Sequence, residues 1–78
     1  MKQGKYDAAI ERFKDATQLQ PKLAEPYMLL GNAYEKKGEL GDAIVAYKKY
    51  LDVYRKAPDR EKVQKHIQKL EADLAREQ

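Results

Sequence analysis

Cysteine, tryptophan and serine are missing from this 78-residue chain, and Thr17 is its one hydroxyl residue beside six tyrosines. Without cysteine there is no disulfide framework, no thiol nucleophile and no thiolate metal site. His66 is the one histidine. It stands between Lys65 and Ile67 with no second imidazole to share a metal, so it reads as a surface or boundary residue. The carboxylates lie among lysines at helical spacing, as in Glu35 and Lys36 or Glu61 and Lys65, and read as solvated faces with weak ion pairs. None is paired in an apolar setting that would separate an acid from a base. No enzymatic activity is expected, and no catalytic residue, metal or cofactor is assigned.

Long apolar runs are missing too. None approaches ~20 residues, the length that spans a bilayer, and no apolar segment follows Met1-Lys2-Gln3-Gly4 as a leader peptide would have. Small secreted domains usually lean on disulfides, so the lack of cysteine points to a cytoplasmic home. A bacterial envelope location stays open if the chain is cut from a longer protein. Charge of one sign is not gathered: 16 Lys and Arg stand against 13 Asp and Glu, interspersed along the chain. Basic residues that grip phosphate usually cluster, so nucleic acid is not an expected partner.

What the chain does have is a repeat. Displaced along itself by one fixed step, it places Lys2 on Lys36, Gly4 on Gly38, Ala9 on Ala43, Ile10 on Ile44 and Lys14 on Lys48. Phe13 falls on Tyr47 and Tyr6 on Leu40, which keeps bulk at both places. Within that period the apolar residues Tyr6, Ala9, Ile10, Phe13 and Ala16 recur at three- and four-residue steps, one stripe of a helix running to Leu19. Pro21 ends it. A second helix is expected over 25–37, with Pro26 in its first turn, Tyr27, Leu30, Gly31 and Tyr34 on its inner face, and Gly38 as a left-handed cap. A third follows Gly41, with Asp42 near its positive end and Lys48, Lys49, Arg55 and Lys56 toward its negative end. Its apolar residues are Ala43, Ile44, Ala46, Tyr47, Tyr50, Leu51 and Tyr54. Pro58 opens a fourth, on which Val63, Ile67, Leu70 and Leu74 form one narrow stripe, with fraying from about Ala75. Nothing alternates with period two. The fold class is all-α, with four helices.

Tyr27-x-x-Leu30-Gly31-x-x-Tyr34 followed by Ala43-x-x-x-Tyr47 resembles the tetratricopeptide repeat signature, an aromatic, Leu-Gly and Tyr, then Ala and a second aromatic. The resemblance takes in residues 23–57 as one complete repeat and 1–22 as the second helix of a truncated one. It implies an α-solenoid of antiparallel helix pairs, stabilised by stacking neighbours, with Gly31, Ala9 and Ala43 at the tightest contacts. Two positions depart from the pattern: Tyr50 stands where a small residue is wanted, and Arg55 where proline is. A tyrosine there would overpack a helix in normal register, and the stripe from Val63 begins about two residues late. The third helix is therefore expected to run half a turn long and the fourth to dock shifted. Residues 58–78 then form a C-terminal capping helix with a polar outer face.

The same resemblance implies a non-catalytic scaffold that binds a peptide or partner protein on its concave face. Mapped here, that face is Glu25, Met28, Asn32, Glu35 and Lys36. Asn32 stands where chaperone-binding members of the family carry an asparagine that holds a peptide backbone or carboxylate. Those members also supply lysine and arginine nearby, whereas Met28 and Leu29 stand here, which argues against a two-carboxylate clamp. An exposed amide at Asn32 and a gap-filling Met28 are the plainer readings. Tyr6, Tyr27, Tyr34 and Tyr47 fall at packing positions, which argues against a stacking platform for single strands. The truncated repeat leaves Ile10 and Phe13 without a partner helix, and burying each such side chain is worth about 1.5–3 kcal/mol. Homo-oligomerisation through the first helix is therefore the alternative function, with weak RNA binding as a second alternative. The stripe from Val63 to Leu74 also suits a coiled coil but is too short to establish one.

Overall fold

The computed structural model describes residues 2–77, with side chains described from Gly4 onward. Four helices follow one another: α1 (Lys2–Leu19), α2 (Glu25–Lys37), α3 (Leu40–Val53) and α4 (Arg60–Glu77). Each packs on the next in the chain, α1 on α2, α2 on α3 and α3 on α4, so the molecule is a row of stacked neighbours. This is the all-α solenoid arrangement, and no strand occurs among the described residues. None of the described helices is long and apolar enough to cross a membrane.

Local chemistry sets the helix limits. In α2, Pro26 and Glu25 occupy the first turn and Lys36 and Lys37 the last, each on the favourable side of the helix dipole. Gly38 then turns left-handed at φ 91°, and the amides of Gly38 and Glu39 close on the carbonyls of Glu35 and Tyr34 at 3.0 and 2.9 Å. Only glycine enters that region without strain, as expected. Gly4, its counterpart in the preceding repeat, lies inside α1. A helix runs through a lone glycine at a cost of about 1 kcal/mol unless something else ends it.

The core has two parts. In the larger, Tyr27, Ala43, Ile44, Tyr47, Tyr50 and Leu51 meet Val63, Ile67 and Leu70 of α4. In the smaller, Ile10 of α1 meets Leu30 and Ala33 of α2 and Ala46 of α3, with Ala9, Phe13 and Tyr34 packed against them. Ile10 is only 6% exposed. The expectation that Ile10 lacks a partner is corrected: α2 covers it, and Phe13 is half-buried beside it.

The seam between α2 and α3 closes at Gly31. A Cβ on Gly31 would lie 2.5 and 2.6 Å from Cε1 and Cδ1 of Tyr47, so the ring rests directly on the α2 backbone. Between helices, Lys37 bonds Asp7 of α1 at 2.6 Å and Lys48 bonds Glu71 of α4 at 3.2 Å. Such exposed pairs contribute ~0–1 kcal/mol and serve mainly to fix register.

The end of α3 differs from expectation. It stops at Val53, one repeat step beyond Leu19 where α1 stops, so it is not extended. Tyr54, Arg55 and Lys56 therefore lie beyond it, and its last turn holds no basic residue. Arg60 serves instead, donating from Nη1 to the carbonyls of Leu51 and Arg55 at 3.2 Å each. Tyr50 is accommodated in this corner: its ring is buried and meets Tyr54 edge-on, and its hydroxyl donates to Asp59 at 2.9 Å.

The fourth helix does not dock shifted. Glu25 opens α2 and Arg60 opens α4, a single residue later than the repeat step alone would put it. Ile67 stands one repeat step after Ala33 and does the same work. Ala33 packs toward α1, and Ile67 toward α3. The stripe that starts at Val63 is thus the face turned to the preceding helix. The positions matching Tyr27, Leu30, Gly31 and Tyr34 are Glu61, Gln64, Lys65 and Gln68, all exposed. The helix holds to Glu77 instead of fraying at Ala75; Met1 and Gln78, the outer limits of the two end segments, lie outside the described residues.

Gly31→Ala should destabilise the fold by about 1–3 kcal/mol, because Tyr47 is walled in and cannot retreat. Gly41→Ala, where a Cβ meets nothing nearer than Leu74 at 3.9 Å, should be neutral or stabilising by up to about 1 kcal/mol. Urea denaturation of the two variants provides the comparison, and equal effects would remove the close-approach argument.

Candidate functional site

Helical spacing brings Met28, Asn32, Glu35 and Lys36 onto one side of α2, and α4 lays Lys62 and His66 opposite them. Two adjoining hollows lie between. One, of about 330 Å³, is lined by Met28, Asn32, Tyr47, Asp59, Lys62, Val63 and His66. The other, of about 420 Å³, is lined by Asn32, Glu35, Lys36 and His66. Asn32 and His66 border both, so the two form one groove. Of the five residues expected on the concave face, four line it. Glu25 does not: it is exposed in the first turn of α2 and borders neither hollow.

The groove is organised around the hydroxyl of Tyr47. Its oxygen lies 2.7 Å from Oδ1 of Asn32 and 2.8 Å from Oε1 of Glu35. The same Glu35 oxygen lies 2.8 Å from Nε2 of His66, and the imidazole meets the Tyr47 ring edge-on at 5.4 Å. Burial works to raise the pKa of Glu35, but hydrogen bonds from His66 and Tyr47 and the charges of His66 and Lys69 outweigh it, holding the carboxyl below its usual 4.5. Burial and then the neighbouring Glu35 carboxylate push the Tyr47 phenol well up. Near neutrality the groove therefore holds an ionised Glu35 and a protonated Tyr47. Tyr50 is pushed up to about 12, by burial first and then by Asp59.

His66, a bystander when only its chain neighbours are considered, is thus part of the site, and so is Lys62, which no sequence motif singles out. Lys62 stands one repeat step after Met28, and His66 one step after Asn32, so the repeat offset itself would have placed both on the concave side. The apparent dispersion of charge was misleading too. Lys36 and Lys62 are far apart along the chain, but folding brings one to each hollow, while the charge of Lys69 acts on Glu35, and none of the three makes an ion pair among the described residues. No cluster of three His, Cys, Asp or Glu side chains suited to a metal occurs among the described residues.

Residues 1–38 match the family model described as "TPR repeat", and residues 24–56 match the one described as "Tetratricopeptide repeat". The chain belongs to the tetratricopeptide repeat family. A curated relative, Small glutamine-rich tetratricopeptide repeat-containing protein 2 of Mycosarcoma maydis, is 36% identical over 50 residues. Those residues are 64% of this chain and 14% of that relative. No solved structure gives a significant match.

The lowered pKa of Glu35 has a definite sign. Its stabilising contribution is present above the unfolded value of 4.5 and is lost as pH falls through the lower folded value. Thermal melts taken from pH 6 to pH 3 should show a loss of stability that is smaller in Glu35→Gln, and parallel losses in the two proteins would sink the assignment. For Tyr50 the sign is opposite: its contribution is present below 10 and fades as pH rises through about 12, a loss that Tyr50→Phe should diminish in alkaline melts.

Proposed function

We propose that this tetratricopeptide repeat chain is a non-catalytic scaffold that takes an extended, acidic peptide segment of a partner protein into the groove between α2 and α4. The observation that carries this reading is the convergence of Asn32, Lys62 and His66, from two helices, around the apolar Met28 and Val63. Methionine adapts to varied apolar side chains, so Met28 suits contact with a peptide whose sequence is not fixed. One end of the Asn32 amide is held by Tyr47, and the other offers hydrogen bonds to an extended backbone.

Charge sets the preference for carboxylates. Glu35 is engaged by His66 and Tyr47, and Asp59 by Tyr50. Lys36, Lys62 and Lys69 are left to attract a ligand, raising its association rate and its sensitivity to salt. Lys62 supplies the cation that Met28 and Leu29 do not, which reopens carboxylate recognition on the α4 side. Residues 58–78 act as a cap in this reading, since their outward positions Glu61, Gln64, Lys65 and Gln68 are polar and exposed.

Calorimetric titration with extended acidic and charge-reversed peptides tests the assignment. Acidic peptides should bind, with affinity falling as salt rises, and Asn32→Ala should weaken them by about three- to tenfold. Lys62→Glu should weaken them further, while Leu19→Ala, at a position 82% exposed and outside the groove, should leave binding intact. Unchanged binding in Lys62→Glu, or a preference for single-stranded RNA over peptide at physiological salt, would overturn the proposal.

A further inference from the structure

The hydroxyl of Tyr47 has one proton and two neighbours that both want it. Its oxygen sits 2.7 Å from the Asn32 amide and 2.8 Å from the Glu35 carboxylate. Two oxygens at such distances without a proton between them repel, so each neighbour must either receive the phenol proton or supply one of its own. An ionised carboxylate can only receive. An asparagine amide can do either, because turning it about its last side-chain bond exchanges a carbonyl oxygen for an NH₂ group with little change of shape. His66 does not relieve the competition: an ionised carboxylate only accepts, so Nε2, 2.8 Å from the same Glu35 oxygen, must carry the proton there, which leaves the tyrosine proton question untouched.

We propose that Glu35, acting through Tyr47, is a specificity-determining residue of the groove: it draws the phenol proton, so that Asn32 gives an N–H to Tyr47 and turns its amide oxygen toward the ligand. The inference rests on the reading of the groove as a peptide site. With Oδ1 of Asn32 on the tyrosine, the arrangement is complete only when Glu35 itself carries a proton. With Glu35 ionised, the amide reverses. Charge-assisted bonds are the stronger ones, so the carboxylate wins the phenol proton over the neutral amide. The pKa of Glu35 is lowered by its own hydrogen bonds, which keeps the winning form populated near neutral pH. Asn32 is exposed and borders both hollows, so whichever amide atom Tyr47 does not hold is the one a ligand meets.

The consequence is a division of labour. An oxygen facing the ligand accepts a backbone N–H and rejects a carboxylate. The lysines receive the acidic side chains, and Asn32 reads the main chain. In Glu35→Ala no carboxylate competes for the phenol proton, which passes to Asn32 Oδ1, and the Asn32 NH₂ faces outward instead. That one change should move Asn32 from reading backbone N–H groups toward reading carboxylates.

The orientation is measured on the free protein, by nuclear magnetic resonance of the Asn32 side-chain amide in the wild type, Tyr47→Phe and Glu35→Ala. In the wild type one of the two amide protons should be held to Tyr47 and exchange more slowly than the other. That asymmetry should vanish in both variants. Two equivalent, freely exchanging protons in the wild type would overturn the proposal, whatever the variants do. A second arm uses acidic peptides that are N-methylated at one backbone amide at a time. Methylation at one position should weaken wild-type binding by about three- to tenfold and leave Glu35→Ala binding unchanged. If acidic peptides bind but no methylated position matters, the inference fails and the groove reading stands. If no acidic peptide binds, the groove reading fails, and the amide asymmetry of the free protein still decides the orientation.

Discussion

Everything in this molecule leans on one contact, the face of the Tyr47 ring against the bare backbone of Gly31. Two helices can lie this close only where one lacks a side chain, and the aromatic ring then fills what would otherwise be a channel between them. Tyr47 is 2% exposed, and Ala43, one turn before it on α3, is fully buried. Close-packed interiors transmit strain instead of absorbing it, so the spacing of α2 and α3 tolerates little change. That spacing sets where α4 rests on α3, and the distance between α2 and α4 defines the groove.

The ring and the hydroxyl of Tyr47 belong to different parts of the protein. The ring completes the seam, and the hydroxyl stands at the groove floor between Asn32 and Glu35. A phenylalanine would pack as well but would leave those two polar groups without the atom that organises them. Tyr50 repeats the device one turn later: its ring is core, and its hydroxyl ties Asp59 at the mouth of α4. Both phenols are held neutral by burial and by a carboxylate neighbour, which is why each can donate reliably.

Much of this was legible in the sequence. Four helices, their limits within a few residues, the left-handed Gly38 and the close approach at Gly31 all follow from periodicity and from residues with a single plausible use. The groove residues on α2 were legible because the signature places them. What misled was α4. Its apolar stripe corresponds to the face of α2 that carries Ala33, not the one that carries Tyr27 and Tyr34, because a helix at the end of a row keeps only the face turned to its predecessor. Ile67 matches Ala33 and not Tyr34, and that distinction needs to be drawn in three dimensions. Ile10 was misjudged for a related reason: a missing neighbour on one side does not expose a residue whose cover comes from α2 on the other. The approach of Lys36 and Lys62 across the groove could not be seen in a composition whose signs are interspersed, since proximity along the chain says nothing about proximity across the stack.

The shared hydroxyl of Tyr47 also couples occupancy to cohesion. A guest that engages Asn32 and His66 while leaving their bonds to Tyr47 and Glu35 in place would fasten α2 to α4 as it settles, and tight association would surface as a rise in melting temperature. A guest that pulls Asn32 from the Tyr47 hydroxyl, or His66 from the Glu35 carboxylate, would loosen the joint it rests upon, and some of its attraction would be spent on the host. The scaffold thus favours visitors that leave its own stitching undisturbed.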